Sequence, residues 1–236
     1  MNVVLVYLRL YADAFVNTGK ALLKAPWTLA LPMGLFVAFW FLAQLLSPLG
    51  SLVGGFLLGL AQAAAASAYL YFTGEVVAKS AVTLAELRKS FGVYFWSVMG
   101  LGFVLWIADM VLGAVLPATP QTATMLTALW LVAAVALNAA PETIYVKGTR
   151  SGTDTIMTSF RFLQEHSLLW LVPNALLIAG FWYSLRFLGG DLVGLITTLL
   201  LLGAVFHVAM IFRGTLYVAL DGSTHRQRMF HYRRGA

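Results

Sequence analysis

Six stretches of about 20 or more mostly apolar residues occupy most of this chain of 236 residues. A helix rises about 1.5 Å per residue, so about 20 apolar residues cross the roughly 30 Å hydrocarbon layer of a bilayer. The charged fraction is 10%, against roughly 25% in soluble domains. We therefore predict an all-α integral membrane protein and exclude a soluble globule. The predicted spans cover residues 27–46, 49–72, 93–116, 123–145, 167–188 and 191–213.

Short and nearly uncharged turns join these spans in pairs. The turns are Ser47-Pro48, the segment 117–122 with its two prolines, and Gly189-Gly190. Proline and glycine end helices because they remove a backbone donor or admit left-handed backbone. The spans should therefore form three hairpins within a single transmembrane domain, residues 1–236. The remaining segments are too short to bury a core of their own, so we expect no separate enzyme domain.

The distribution of basic residues predicts the orientation of the chain. Of the 15 Lys and Arg residues, fourteen lie outside the hairpin turns, and Arg186 alone lies near one. Short loops rich in Lys and Arg stay on the cytoplasmic side. We therefore predict that both termini are cytoplasmic. The N-terminal segment lacks the basic region and cleavage site of a signal peptide, so the first span should be retained.

Each hairpin is preceded by a segment whose polar residues recur at helical spacing. In the first segment, Arg9, Asp13, Asn17, Lys20 and Lys24 follow one another at intervals of three or four residues. This spacing places them on one stripe of a helix, as in helices that lie along a membrane surface. The predicted interfacial helices cover residues 3–24, 79–92 and 152–165.

The three units of surface helix and hairpin resemble one another, which predicts an internal repeat. The fourth and sixth spans end in the matched strings Thr143-Ile-Tyr-Val and Thr215-Leu-Tyr-Val. Internal repetition is a common way to build a helical membrane protein. Thr83, three residues before Glu86, and Ser151, three residues before Asp154, should cap the first turns of the second and third surface helices.

The basic residues beside the spans are predicted to contact anionic lipid, at about 1 kcal/mol each. The C-terminal tail alternates bases and aromatic residues, a pattern also found in nucleic-acid-binding segments. Because the tail directly follows the last span, we favour lipid and expect no nucleic acid. The predicted headgroup contacts are Arg9, Lys20, Lys24, Lys79, Arg88, Lys89, Arg161, Arg226, Arg228, Arg233 and Arg234.

A group of polar residues falls at similar depth in the cytoplasmic half of the spans. Pro141 and Pro173 each free a backbone carbonyl one turn earlier, which a polar side chain or water can satisfy. These residues either hydrogen-bond between helices, or form a headgroup or solute pocket, or, least favoured, carry catalysis. The candidate pocket consists of Glu75, Asn138, Glu142, Asn174 and His207.

Asp109 is the candidate intramembrane acid, because it lies well inside the third span. A carboxylate at a helix centre costs on the order of 2.5 to 3.5 kcal/mol to insert, which the surrounding apolar residues offset. It is either part of a proton or cation relay or an interfacial residue, solvated or paired with Arg186.

The second span carries small residues at close intervals, which indicates a helix packing seam rather than a pore lining. The seam begins with Gly50, Gly54, Gly55 and Gly59. The chain has no cysteine, which excludes thiolate metal sites and thiol nucleophiles. It also lacks a Gly-x-Ser-x-Gly elbow and a His-Glu-x-x-His pair. We therefore expect no metal, no cofactor and no enzymatic activity.

The stretch from Pro141 to about Leu176 resembles bacterial six-span proteins, including the YciC-like inner-membrane proteins and the membrane domain joined to some glycerophosphodiester phosphodiesterases. The resemblance rests on a late proline in the fourth span, a charged loop ending near Gly152, and a surface helix with Ser159-Phe160. Where such families often have Ala and Leu before the serine, this chain has Ile156-Met157, and it has no phosphodiesterase domain. The resemblance implies the layout of a multi-pass protein of the bacterial inner membrane, not an activity.

The predicted function is that of a non-enzymatic accessory, scaffold or lipid-interacting subunit. Its expected partners are membrane lipids, anionic ones at the cytoplasmic face, and other membrane-protein subunits. The alternative is a transporter or channel for a small solute or lipid that uses the cytoplasmic-side polar pocket. The long leucine runs and the small number of buried charges disfavour this alternative.

Overall fold

The computed structural model describes residues 3–79, 82–187 and 192–223, together with Gln227 and Phe230. In these ranges the chain is helical and contains no strand. Short 3-10 helices at Pro26–Ala30, Ser47–Leu49, Leu84–Glu86 and Leu185–Phe187 occupy several of the connections. The α-helices are α1 (Val3–Lys24), α2 (Leu31–Leu46), α3 (Gly50–Lys79), α4 (Leu87–Val93), α5 (Phe95–Val115), α6 (Pro120–Ala136), α7 (Ala140–Lys147), α8 (Gly152–Ser184) and α9 (Leu192–Asp221).

Six helical stretches in the described residues are long and apolar enough to cross a membrane, as the sequence predicts. The last stretch continues to Asp221, beyond the predicted end at Arg213. The turn predicted at Gly189-Gly190 lies outside the described residues. The six stretches are Pro26–Leu49, Leu52–Ala78, Leu87–Val115, Pro120–Lys147, Gly152–Ser184 and Gly194–Asp221.

Local side-chain chemistry sets several helix ends. The hydroxyl of Thr119 accepts a hydrogen bond from the backbone N–H of Thr122 at the start of α6. The predicted cap of α8 is confirmed, because the Ser151 hydroxyl accepts from the Asp154 N–H at 3.1 Å. The predicted cap at Thr83 is wrong, because its backbone carbonyl, rather than its hydroxyl, accepts from the Glu86 N–H at 3.2 Å. Gly148 ends α7 with φ of 68°, a left-handed conformation that glycine adopts without strain.

Several of the long helical stretches are interrupted, and two of the breaks bear on the functional site. The fourth predicted span is divided into α6 and α7 by turn residues 137–139, and Pro141 stands at the start of α7. Proline fits the first turn of a helix because that N–H has no partner within the helix. In α8 the predicted surface helix 152–165 and the predicted fifth span form one helix kinked at His166, whose φ of −129° is not helical.

The helix α3 lies at the centre of the bundle and packs against α2, α5, α7 and α9. The short helix α4 also packs on it, and the Ser67 hydroxyl donates to the Ser90 carbonyl at 2.9 Å. α1 packs along α9, where the hydroxyls of Thr18 and Thr215 lie 3.1 Å apart. α5 packs against α8, with Gly100 beside Gly152. Glycines at such crossings let the two backbones approach closely.

Burial divides the bundle into two regions. The first region is here called the polar core, and it contains most of the large buried side chains. It consists of residues 67–76 in α3, 139–145 at the start of and within α7, 169–174 in α8 and 207–220 in α9. The second, here called the apolar half, consists of residues 33–60, 103–135, 176–186 and 194–205. Among the side chains described in the apolar half, only Gly54 and Leu202 are buried. Its other described residues are half-buried or exposed, as expected for helices surrounded by lipid tails.

Candidate functional site

A buried ion pair lies at the middle of the polar core. Glu142 on α7 is 0% exposed, and the side chain of Arg213 on α9 is 14% exposed. Arg213 donates from Nε to Oε1 of Glu142 at 2.8 Å and from Nη2 to Oε2 at 2.9 Å. This two-point geometry is the strongest form of the arginine–carboxylate contact. Because an isolated buried charge costs several kcal/mol, each residue makes the burial of the other possible.

The break between α6 and α7 supplies a further partner for the arginine. Nη2 of Arg213 also donates to the backbone carbonyl of Asn138, which lies in the turn before Pro141. The carbonyl four residues before Pro141 is that of Leu137, and it accepts from the backbone N–H of Ala140 at 2.9 Å. The prediction that a polar side chain or water satisfies this carbonyl is therefore not confirmed, and Arg213 bonds the next carbonyl of the same turn. The ion pair therefore holds both the position of α7 and the shape of the turn before it.

Trp170 of α8 covers the ion pair from a third helix. It is fully buried, and its indole N–H donates to the side-chain oxygen of Asn138 at 2.9 Å. The guanidinium of Arg213 lies 5.3 Å from the indole ring, within the range of a cation–π contact. Phe162 and Tyr217 stack at 4.1 Å and both lie edge-on to Trp170. These rings exclude water from the charged groups and so strengthen their attraction.

The carbonyl freed by Pro173 is also satisfied by a side chain. The hydroxyl of Tyr11 on α1 donates to the backbone carbonyl of Leu169 at 3.1 Å. Burial, with a smaller contribution from Tyr7, raises the pKa of the Tyr11 phenol above its usual range, so it remains a donor. Asn174 donates to the Trp170 carbonyl at 2.6 Å. These bonds attach α1 and the proline-containing turn of α8 to the site.

Three of the five residues of the candidate pocket belong to this one network. Glu142 and Asn138 are joined through Arg213, and Asn138 is joined through Trp170 to the turn of α8 that carries Asn174. We grouped these residues by depth along the helices, and each lies close to a helix break, a kink or a proline.

The other two pocket residues lie apart from this network. His207 of α9 is fully buried, and its Nδ1 lies 3.3 Å from the hydroxyl of Tyr69 on α3. Glu75, also on α3, is half-buried. In the polar core, the buried atoms His207 Nε2, Asn174 Oδ1 and the Tyr217 hydroxyl have no hydrogen-bond partner among the described residues.

Arg213 is the central residue that the sequence analysis missed. We counted it as a base outside the membrane, at the end of the sixth span, and the structure corrects this because α9 continues to Asp221 and buries the side chain. A signal for its role exists in the sequence. The matched strings that begin at Thr143 and Thr215 place Glu142 and Arg213 at nearly the same depth on two spans, and opposite charges at one depth in a membrane protein favour a pair.

Asp109 and Arg186 lie far from this network and do not contact each other. Asp109 is exposed on α5, six residues before that helix ends at Val115. Arg186 is also exposed, and its guanidinium lies 5.8 Å from the ring of Tyr183. The pairing of Asp109 with Arg186 is therefore not present, and its role as a relay stays a prediction.

The predicted headgroup contacts whose side chains the structure describes are mostly at the surface. Arg9 is half-buried, and the exposed ones are Lys20, Lys24, Arg88, Lys89 and Arg161. The side chain of Lys79 lies outside the described residues, as do Arg226, Arg228, Arg233 and Arg234.

The small residues of α3 do not form one continuous seam. A Cβ atom at Gly54 would lie 3.0 Å from the Leu46 carbonyl oxygen, which indicates close packing on α2. Gly55 and Gly59 have open space beside them and line a cavity of about 630 Å³ between α3 and α5, together with Trp106. The predicted packing seam is therefore present at Gly54, whereas the following glycines face a groove.

Within the described residues, no three His, Asp or Glu side chains come close enough to hold a metal ion. No protein-family model matches the chain, and comparisons with curated proteins and with solved structures give no significant match.

Proposed function

We propose that this chain is a non-enzymatic membrane protein of the bacterial inner membrane, with both termini in the cytoplasm. It serves as an accessory or scaffold subunit whose basic surface lies on anionic lipid. The observation that carries the proposal is a contrast between two sets of charges. The buried charges Glu142 and Arg213 pair with one another. The described bases of the predicted surface helices are exposed, apart from Arg9, which is half-buried.

The geometry of the ion pair supports a structural role. Both carboxylate oxygens of Glu142 accept from Arg213, so neither is left as a primary ligand for a solute or as a general base. A buried pair of this kind specifies which helices pack together more than it adds stability. It therefore suits a scaffold that must hold α7, α8 and α9 in one arrangement.

The surface of α1 supports its placement at the membrane interface. One face is buried against the bundle, including Val6, Leu10 and Ala14. A second face is exposed and polar, and a third exposes the large apolar side chains of Leu8 and Phe15. A helix with exposed polar and apolar faces lies in the headgroup region with its apolar face toward the acyl chains.

The first half of α8 has the same three faces, which supports the proposed repeat of surface helix and hairpin. Thr155 and Ser159 are buried, Arg161 is exposed, and Met157 and Phe160 expose 53% and 47% of their surface.

The second helix of each proposed hairpin also carries an equivalent threonine. Thr73, Thr143 and Thr215 each donate from the side chain to a backbone carbonyl three or four residues earlier.

Removal of five bases of the predicted surface helices tests the lipid contact. A variant with Arg9, Lys20, Arg88, Lys89 and Arg161 all changed to Gln should copurify with much less phosphatidylglycerol, because each base contributes about 1 kcal/mol at an anionic surface. Arg186→Gln, which removes the one base on the opposite side, should leave the lipid content unchanged. Unchanged lipid content and unchanged recovery of partner subunits in the five-site variant would contradict the proposal.

Single cysteines test the orientation, because the chain has no cysteine of its own. Ala118 and Thr153 are both exposed and lie before α6 and in the first turn of α8. A membrane-impermeant maleimide should label Ala118→Cys in intact spheroplasts and label Thr153→Cys only after the membrane is opened. The reverse result would overturn the proposed topology.

A second candidate function is the transport of a small polar solute. The observation that favours it is the presence of unpartnered polar atoms on His207, Asn174 and Tyr217 in the polar core. Solute flux into proteoliposomes that falls with His207→Ala, while the fold is retained, would support this function. Flux no greater than in protein-free vesicles would exclude it for the solutes tested.

A further inference from the structure

A groove between α1, α3 and α9 combines basic side chains with an apolar floor. It has a volume of about 380 Å³. Its polar residues on α1 are Asn17, Lys20 and Lys24, which are all exposed. The groove is also lined by Ala21 of α1, by Val77 of α3, and by Thr215, Val218 and Ala219 of α9.

The three polar residues lie on one face of α1 at intervals of three and four residues. Side chains at these intervals are neighbours on a helix, and two like charges there repel each other by a few tenths of a kcal/mol. Among the described residues, no carboxylate lies within ion-pair distance of Lys20 or Lys24. The carboxylate of Asp221, at the end of α9, is engaged by Lys147 at 2.7 Å. The two ammonium groups therefore lack a counter-charge that an anion would supply.

The position of the groove agrees with the level of phospholipid headgroups. Val77 lies at the end of the membrane-crossing stretch Leu52–Ala78, and Ala219 lies near the end of Gly194–Asp221. The polar rim and the apolar floor together match a molecule with a charged head and an apolar body. A free inorganic anion would use the rim and leave the floor without a partner.

We propose that this groove binds the phosphate of an anionic phospholipid, with the ammonium groups of Lys20 and Lys24 and the amide of Asn17 as its ligands. The inference rests on the proposed function, since it names one lipid site on the surface assigned there to lipid in general. It predicts that one anionic lipid is held more tightly than the lipids around the rest of the chain.

Native mass spectrometry of the full chain in detergent, titrated with phosphatidylglycerol or phosphatidylcholine, tests the site. The wild type should retain one phosphatidylglycerol in preference to phosphatidylcholine. Lys20→Gln with Lys24→Gln should weaken that binding roughly thirtyfold, because each lysine contributes about fivefold. Lys20→Arg with Lys24→Arg should retain it. Circular dichroism of each variant checks that the helices are intact.

The matched control is Arg88→Gln with Lys89→Gln, which removes the same charge from the exposed face of α4. If this variant weakens binding as much as the groove variant, the groove is not a site, although lipid contact by the basic surface stands. If the wild type shows no preference for phosphatidylglycerol, the proposed function itself fails. Displacement of the bound lipid by millimolar inorganic phosphate would overturn the assignment to lipid and identify a phosphate site.

Discussion

The polar core and the apolar half of the bundle share helices α3, α8 and α9 but are held together differently. In the polar core, α7, α8 and α9 meet through Glu142, Arg213 and Trp170, whose contacts are directional. In the apolar half, the same α8 and α9 expose large side chains such as Trp182 and Leu201. Lipid tails are as apolar as leucine, so little drives such surfaces together in a membrane. One helix can therefore be tightly packed over part of its length and exposed over the rest. The position of the polar groups along the helix decides which part is packed.

Removal of one member of the ion pair should have the largest effect on stability. Glu142→Gln leaves the buried guanidinium without its counter-charge and should lower the free energy of unfolding by about 3–5 kcal/mol. Glu142→Leu combined with Arg213→Met should recover much of this loss, because no charge is then left unpaired. Thermal unfolding in detergent, followed by circular dichroism, measures both effects.

A second ion pair between the same two helices provides the control. Lys147 of α7 and Asp221 of α9 lie 2.7 Å apart, with 38% and 33% of their side chains exposed. Lys147→Met should cost no more than about 1 kcal/mol, because water already solvates these charges. Equal losses in Lys147→Met and Glu142→Gln would remove the distinction between the core pair and a surface pair.

Glycine-to-alanine changes in α9 should have opposite signs in the two regions. A Cβ atom at Gly214 would lie 2.5 Å from the hydroxyl of Tyr145 and 2.7 Å from Val77. Tyr145 is buried and donates to the Met210 carbonyl, so it cannot move without losing that bond. Gly214→Ala should therefore destabilise the fold by about 1–3 kcal/mol.

Gly203, in the apolar half of the same helix, is the matched control. A Cβ atom there would have no neighbour closer than 3.8 Å, at Pro32. Gly203→Ala should stabilise α9 by up to about 1 kcal/mol, because alanine favours helix. A loss in both variants, measured by the same unfolding assay, would show that the apolar half is packed as tightly as the core.

Loss of one hydrogen bond in the core should have a smaller effect. Trp170→Phe keeps an aromatic ring but leaves the side-chain oxygen of Asn138 without its donor, at a cost of about 1–2 kcal/mol. Trp182→Phe on the same helix should change stability by less than about 0.5 kcal/mol, since Trp182 is 69% exposed. If the two variants lose the same stability, the bond to Asn138 does not contribute as proposed.

Leucine truncation in the apolar half should have the smallest effect. Leu131→Ala and Leu201→Ala remove side chains that are 64% and 62% exposed. Each should change the stability of the chain by no more than about 0.5 kcal/mol, because lipid or detergent replaces the lost contacts. A loss above about 2 kcal/mol, with a change in the mass of the purified particle, would show that these residues pack against another protein chain.

The six apolar helices could be predicted because their length and composition are local properties of the sequence. The cap at Ser151 and the carbonyl freed by Pro173 could also be predicted, since each depends on a few neighbouring residues. The end of the sixth helix was predicted at Arg213, because arginine is unfavourable in a membrane helix unless it is paired. The pairing that permits it comes from Glu142, which is 71 residues away in the chain.

The candidate pocket likewise depends on contacts between residues that are distant in the chain. Depth along the spans correctly associated Asn138 with Glu142, but it also included His207, which bonds to Tyr69 instead. Depth is set by counting residues along a helix, whereas the rotation of each helix about its axis decides which side chains meet. Rotation depends on packing against all neighbouring helices, and apolar sequences specify it weakly.

The sequence by itself determined that the chain is helical, that six helices are long and apolar enough for a membrane, and that most of its charge lies outside them. These properties follow from the transfer of side chains and backbone into lipid, which acts on each segment separately. Only the tertiary structure decided that Arg213 belongs in the interior. A buried charge is tolerated when an opposite charge reaches it in the right geometry, and that geometry exists only after α7, α8 and α9 have packed.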